Sequence, residues 1–299
     1  MSFSLVVLAA GMGSRYGGLK QMDPMGPNDE TVLDYSVYDA IQAGCNEVIF
    51  IIRRDFEEAF KTQITHKFQD RIKVQFSFQE LTDLPTGYTV PEGRTKPWGT
   101  AHALRAAREL ITQPFVVINA DDFYGRDAYL KISQFFQENT QPNQYAMVGY
   151  PLTNTLSDQG GVNRGICRTT ANHHLQNVTE TLDIQRNEQG QLSGEANGEK
   201  VELQSQQPVS LNFWGFRPEF MAAVEDYFLR FIQSQGTELK SESFLPVVID
   251  ELIQQEKATC HVLSTNATWL GVTYPKDKAI VVNAINQLVK NSEYPTPLW

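Results

Sequence analysis

Short apolar runs alternate with stretches of helical periodicity through the first half of the chain. Runs at 4–10, 47–52, 73–78, 115–119 and 145–150 are the right length for buried strands and too short for buried helices. Between the first two, Leu33, Val37 and Ile41 recur every four residues and share one face of a helix predicted over 31–43. Gly44 follows where a helix C-cap would stand. Segments 55–67, 100–111 and 128–138 supply further crossover helices. Strands and helices in this order predict a mainly parallel α/β sheet whose ligands lie beyond the carboxyl ends of its strands. The loops after Ala10, Phe78 and Asn119 therefore carry the functional weight.

The second half is patterned differently. Segments 165–170 and 175–184 read as two strands joined around 171–174, and the polar stretch 185–207 has little to bury, so it reads as an exposed excursion. A strand at 209–216, helices at 219–233 and 244–255, a strand at 259–263 and a last helix at 276–290 complete the pattern. No internal repeat of roughly 20–50 residues and no hexapeptide series interrupts it.

Charge narrows the field of ligands. With 25 Lys and Arg against 35 Asp and Glu, the 299-residue chain carries a formal charge of −10. Non-specific coating of nucleic acid needs a broad cationic surface, so nucleic acid is excluded as a partner class. A nucleotide remains admissible if positive charge is concentrated in one place. The three cysteines, Cys45, Cys167 and Cys260, form no CxxC and are far apart, which argues against a disulfide framework or thiolate zinc and for a reducing, cytoplasmic setting. The apolar run at the start is far short of the ~20 residues that span a bilayer, and no basic stretch precedes it, so neither a membrane nor a signal peptide is expected.

The segment LAAGMGSRYGGLKQ at 8–21 leaves the first strand and places four glycines in eight positions, followed by Lys20. Missing Cβ atoms let backbone N–H groups close on an anion, and Arg15 and Lys20 add the concentrated charge. It fits neither the P-loop nor the dinucleotide fingerprint. It resembles the signature loop of the nucleotidyltransferase superfamily, and the chain looks most like sugar-1-phosphate nucleotidyltransferases such as glucose-1-phosphate thymidylyltransferase. The resemblance implies that Leu8, Ala9, Ala10, Gly11, Met12, Gly13 and Ser14 wrap a triphosphate, that Arg15 contacts the leaving pyrophosphate and that Lys20 contacts the phosphates near the reacting phosphorus. Leu19 stands where the family's proline precedes that lysine, and the resulting Gly-Gly-Leu-Lys also resembles molybdenum-cofactor guanylyltransferases.

Three later segments extend the likeness. Gln79, at the end of the third strand, presents a donor and an acceptor together, as does the imide edge of uracil or thymine, and Gly99-Thr100 opens a helix where a base can approach closely. They resemble the family's base-reading glutamine and Gly-Thr-Ala segment; on the residues alone, Gln79 reads equally as a surface side chain and Thr100 as a helix N-cap. His102 within that segment reads as a packing or capping residue. Asp121 and Asp122 end an apolar strand, and carboxylate oxygens there suit a hard cation that keeps phosphate and water as other ligands. Asp121 matches the family's Mg2+-binding aspartate, Asp122 is the neighbouring candidate, and the bare alternative is a capping acid. Gly165, Glu180 and Asn212 resemble the residues that hold the sugar, a glutamate and a carboxamide being ordinary partners of vicinal hydroxyls. Two departures stand out: Thr181 replaces the family's sugar-phosphate lysine, for which Arg164 or Arg168 are candidate substitutes, and Gly271 stands where many members have a second metal aspartate.

The resemblance implies a three-layer Rossmann-like mixed sheet of the nucleotide-diphospho-sugar transferase (GT-A-like) type. It implies one α/β domain over 1–299, with a nucleotide-binding half at 1–150 and an acceptor-binding half at 151–299. The implied reaction is attack of a sugar 1-phosphate on the α-phosphorus of an NTP, UTP or dTTP by the base-reading segment, with Mg2+ as cofactor and Arg15, Lys20 and Asp121 as catalytic residues. A different phosphorylated acceptor (a phosphorylated alcohol or a molybdopterin-like cofactor), a GT-A-type glycosyltransferase and a non-catalytic nucleotide sensor stay open as alternatives. A homo-oligomer stays open too.

Overall fold

The computed structural model describes residues 2–11, 23–272 and 276–299. Four parallel strands form the first part of the sheet: β1 (Phe3–Leu8), β2 (Cys45–Ile52), β3 (Lys73–Phe78) and β4 (Phe115–Asn119), in the order β3-β2-β1-β4. Between them run α1 (Val32–Gln42), α2 (Glu57–Phe68) and α3 (Thr100–Ala106). The start of α1 is fixed by a capping box in which the Thr31 hydroxyl accepts from the Asp34 N–H while the Asp34 carboxylate accepts from the Thr31 N–H. Gly44 follows its last turn with φ +99°, the left-handed conformation that a glycine adopts without a Cβ penalty.

The second half of the chain joins the same sheet. After β5 (Asp122–Phe123) and α4 (Arg126–Glu138) come β6 (Gln144–Pro151), β7 (Val162–Thr169), β8 (Leu175–Arg186), β9 (Leu192–Ala196), β10 (Glu199–Leu203) and β11 (Pro208–Phe216). The chain ends with α5 (Phe220–Gln235), α6 (Leu245–Gln254), β12 (Thr259–Ser264), β13 (Leu270–Gly271) and α7 (Asp277–Lys290). Strand β11 is where the sheet forks. One side of it runs along β6, which carries β12 in parallel; the other side pairs with β7 through Val209 and Ser210 and with β4 through Trp214 to Phe216. The arm β7-β8-β9-β10 extends from the first of these contacts.

Alternation along the strands makes the three layers. Leu5 and Val7 join a core with Leu33, Phe60, Ile64 and Ile132 from α1, α2 and α4, whereas Val6 joins Leu104, Phe228 and Val248 from α3, α5 and α6. Each fully buried large side chain contributes about 1.5–3 kcal/mol relative to exposure. A third cluster packs Val281 and Ile285 of α7, with Tyr294 and Leu298, against Tyr35 and Phe123. Among the described residues no helix is long and apolar enough to cross a membrane.

Two expectations from the sequence need correction. The helix predicted over 100–111 ends at Ala106, because the bonds from Ala107 to Leu104 and from Arg108 to Arg105 tighten its last turn and carry Ile111 into the core ahead of β4. The stretch 185–207 is exposed over most of its length, as expected, but it is paired and not irregular: the hairpin β9–β10 continues the sheet from β8, and Leu192 is buried beneath it. Few apolar residues mark these strands because backbone pairing, more than a buried face, holds them.

Candidate functional site

The carboxyl ends of β1, β3 and β4 come together along one edge of the sheet. Past Leu8, Ala9 donates its N–H to the Ile51 carbonyl at 2.9 Å and Ala120 donates to the Leu8 carbonyl at 3.2 Å, so the first loop departs between β2 and β4. Ala9 and Ala10 are buried, whereas Gly11 is exposed and a Cβ on it would meet nothing within 4 Å among the described residues. Met12, Gly13, Ser14, Arg15 and Lys20 lie outside the described residues.

At the end of β3 the Gln79 carboxamide lies against the start of α3. Its Nε2 donates to the Gly99 carbonyl at 3.0 Å and approaches Nδ1 of His102 at 3.3 Å. The His102 ring is fully buried beside Phe228, with Nε2 at 2.9 Å from the Asp83 carbonyl. Burial lowers its pKa from 6.5 to about 4, against the opposing pull of the Asp83 carbonyl, so the ring is neutral at pH 7. Gly99, not Thr100, is the N-cap of α3, at φ +95°. A side chain there would collide with the Ser243 carbonyl. The Thr100 hydroxyl turns outward from its own helix and accepts from the Leu245 N–H at 2.9 Å, capping the first turn of α6 instead. The long insertion between Gln79 and Gly99 is tied down by Trp98 Nε1 on the Leu81 carbonyl and by Arg105 and Arg108 on the Asp83 carboxylate.

At the end of β4 a run of hydrogen bonds crosses from one half of the chain to the other. Trp214 Nε1 donates to Asn212 Oδ1 at 3.3 Å, Asn212 Nδ2 donates to Asn119 Oδ1 at 3.3 Å, and Asn119 Nδ2 donates to Asp122 Oδ2 at 2.9 Å. Asn212 sits in the left-handed region, φ +60°, at the irregularity where β11 changes partner from β7 to β4. Asn119 and Trp214 are members of this arrangement that sequence reasoning missed. A carboxamide ending an otherwise apolar strand was the available signal for Asn119; nothing in the sequence marked Trp214.

The acceptor-side candidates share the hairpin β7–β8. Gly165 pairs directly with Glu180, and Arg164 pairs with Thr181. Gly165 is buried, and a Cβ would press on Val178 Cγ1 at 2.7 Å, so its lack of a side chain serves packing. Glu180 is exposed; desolvation raises its carboxyl and Arg164 pulls it back. The Arg164 guanidinium lies 4.8 Å from the Trp269 ring, with one nitrogen on the Asn163 carbonyl at 2.8 Å and Nε buried without a hydrogen bond. Burial lowers its pKa, and Asp122, Glu180 and Asp277 act in the other direction. Arg168 is exposed.

Gly271 pairs with Asp122 across β13–β5, and a Cβ on it would lie 3.1 Å from Asp122 Oδ1. The same Cβ would run into the Trp269 ring, so an acid is sterically shut out at this position. Among the described residues no group of three or more His, Cys, Asp and Glu side chains is arranged to hold a metal.

A sequence model of the family described as Nucleotidyl transferase matches residues 4–171, more than half of the chain. The chain belongs to that family. This nucleotidyl transferase matches no curated protein. Its fold recurs in solved structures. A UDP-glucose pyrophosphorylase complexed with UDP-glucose superposes with a TM-score of 0.57 at 15% identity, over 95% of this chain and 98% of its own. HddC from Yersinia pseudotuberculosis gives 0.57 at 14%, over 95% and 100%. The inositol-1-phosphate CTP transferase from T. maritima gives 0.62 at 9%, over 94% and 95%. At these identities the likeness is one of fold: the three-layer mixed sheet of this nucleotidyl transferase is the architecture of those enzymes.

Proposed function

We propose that this nucleotidyl transferase moves a nucleoside monophosphate from an NTP to a sugar 1-phosphate and releases pyrophosphate. The observation that supports this best is the hydrogen-bonded run from Asp122 through Asn119 to Asn212, which links a carboxylate just past the carboxyl end of β4 to a carboxamide on β11. A transfer between two bound phosphates depends on holding both in line, and such a linkage fixes one against the other. In this reading Leu8 to Ser14 surround the triphosphate, Arg15 neutralises the departing pyrophosphate and Lys20 the α-phosphate. Gln79, Gly99 and Thr100 form the base site, while Gly165, Glu180 and Asn212 border the sugar. Arg164, cross-strand from Thr181, meets the phosphate of the acceptor in place of a lysine.

The donor set at the end of β4 fits Mg2+: two adjacent carboxylates, one of them oriented by Asn119, with phosphate oxygens and water completing the shell. Asp121 and Asp122 would hold it. When bound, the ion supplies positive charge to the phosphates.

Pyrophosphate release tests the reading: the chain is offered UTP, dTTP, CTP, GTP and ATP in combination with sugar 1-phosphates. Release that needs both substrates is the expected result, and no release from any combination overturns it. Arg15→Ala should lower turnover by about 10²-fold or more while leaving the thermal midpoint unchanged. A second reading, with a phosphorylated alcohol as acceptor, is favoured by Thr181 and by the fold shared with the inositol-1-phosphate CTP transferase. Release with inositol 1-phosphate but with no sugar 1-phosphate would select it.

A further inference from the structure

The Gln79 carboxamide has two N–H groups and one carbonyl oxygen to offer. Both hydrogens are directed at protein acceptors. One meets the Gly99 carbonyl at 3.0 Å, and the other meets His102 Nδ1 at 3.3 Å. The state of the imidazole follows from its second contact: Nε2 faces the Asp83 carbonyl at 2.9 Å, which can only accept, so Nε2 carries the proton and Nδ1 presents a lone pair. Burial keeps a second proton off the ring. Turning the amide over would set its oxygen against the Gly99 carbonyl and against that lone pair, two acceptor–acceptor contacts at a largely buried place. The carboxamide is therefore held one way round and, contrary to the expectation from the sequence, offers a base an acceptor without a donor; no described residue donates to its oxygen, which is left to a ligand.

We propose that His102 is a positioning residue for base selection: it locks Gln79 as a pure hydrogen-bond acceptor, so that the site takes bases with an N–H/C=O edge, imide or lactam, and rejects those whose ring nitrogen is unprotonated. The proposal rests on the reading of Gln79 as the residue that faces the base, with its oxygen against the ring nitrogen and not against an exocyclic amino group, which could donate to it in any base. It assigns UTP, dTTP and GTP to the accepted class and CTP and ATP to the rejected class.

Two matched pairs test it, UTP with CTP and GTP with ATP, each scored by kcat/KM and by calorimetric binding on the full chain, so that a protein that binds without turning over still yields the ratio. Wild type should favour the N–H/C=O member of the better-used pair by about ten-fold or more, a common yield for one correctly matched polar group. In His102→Phe the ring beside Phe228 is kept and the Asp83 carbonyl keeps Arg105 as donor, so the fold is retained while the amide is held by the Gly99 carbonyl alone. The ratio should then fall by about three-fold or more, mostly through gain of the rejected nucleotide. A parallel loss for both members, with the ratio intact, overturns the proposal and leaves His102 a packing residue. Gln79→Ala separates the two layers of the argument. If it leaves the ratio unchanged, Gln79 does not read the base and the underlying reading fails. If it abolishes the ratio while His102→Phe preserves it, the proposal for His102 fails alone. Wild type supplies a check that needs no variant: methylation at the ring N–H of the better-bound nucleotide should weaken binding by about ten-fold, and equal binding overturns the proposal.

Discussion

Asn212 holds a backbone conformation that costs a non-glycine residue about 1 kcal/mol or more, and it is retained where its side chain bonds both Asn119 and Trp214. Asn212→Gly removes the strain together with the side chain, so urea unfolding should place it within about 1 kcal/mol of wild type. Turnover should nevertheless fall by about ten-fold or more, because the proposed acceptor side and Asp122 are no longer linked. Asn212→Ala keeps the strain and should be the less stable of the two by about 1 kcal/mol. Arg164 invites a different comparison. Arg164→Ala should raise the KM for the phosphorylated acceptor by about ten-fold while leaving that for the NTP unchanged, and Arg164→Lys should restore part of the loss. Equal effects on both substrates would remove Arg164 from the acceptor side.

At the proposed base site the start of α3 is joined to α6 by the Thr100 hydroxyl on the Leu245 N–H. Thr100→Val keeps the shape and deletes this cap on α6, with an expected cost of about 1 kcal/mol in urea unfolding. That partnership also marks where sequence reading stops. The strand at 115–119 is found at those limits because an unbroken apolar run follows Pro114, that at 73–78 because Val74, Phe76 and Phe78 alternate with polar residues, and the end of α1 is legible because Gly44 follows its last turn. Local pattern also singled out Gln79, Asp121 and Asp122, and the family resemblance pointed to Asn212. It could not show that Asn212 reaches Asn119 from 93 residues away, or that the Asp83 carbonyl sets the tautomer of His102. Nor could it reveal β5 and β13, two residues each, which exist only because they meet. Gly271 was visible as a missing acid; its cause, the Trp269 ring, required the third dimension.

For the whole molecule, two buried groups tilt stability with pH in opposite directions. An unfolded chain protonates His102 as pH falls through 6.5, whereas the folded ring stays neutral down to about 4, so stability is lost across that window by roughly 3 kcal/mol. His102→Phe should lack this loss in denaturation series between pH 7 and pH 4. Burial pushes the Asp39 carboxyl up to about 7, while Tyr294 and Arg126 pull it down. The folded state then keeps a proton that the unfolded state releases above 3.8, and this contribution is lost as pH rises to about 7. Asp39→Asn should flatten that limb alone. The fork at β11 bears on how the chain is made. Phe115 of β4 pairs with Phe216, so β4 leaves the ribosome long before the strand that covers its outer edge. Until β11 emerges, Phe115–Asn119 is an apolar ladder open to any neighbouring nascent chain, and a message truncated ahead of Pro208 would leave it so permanently.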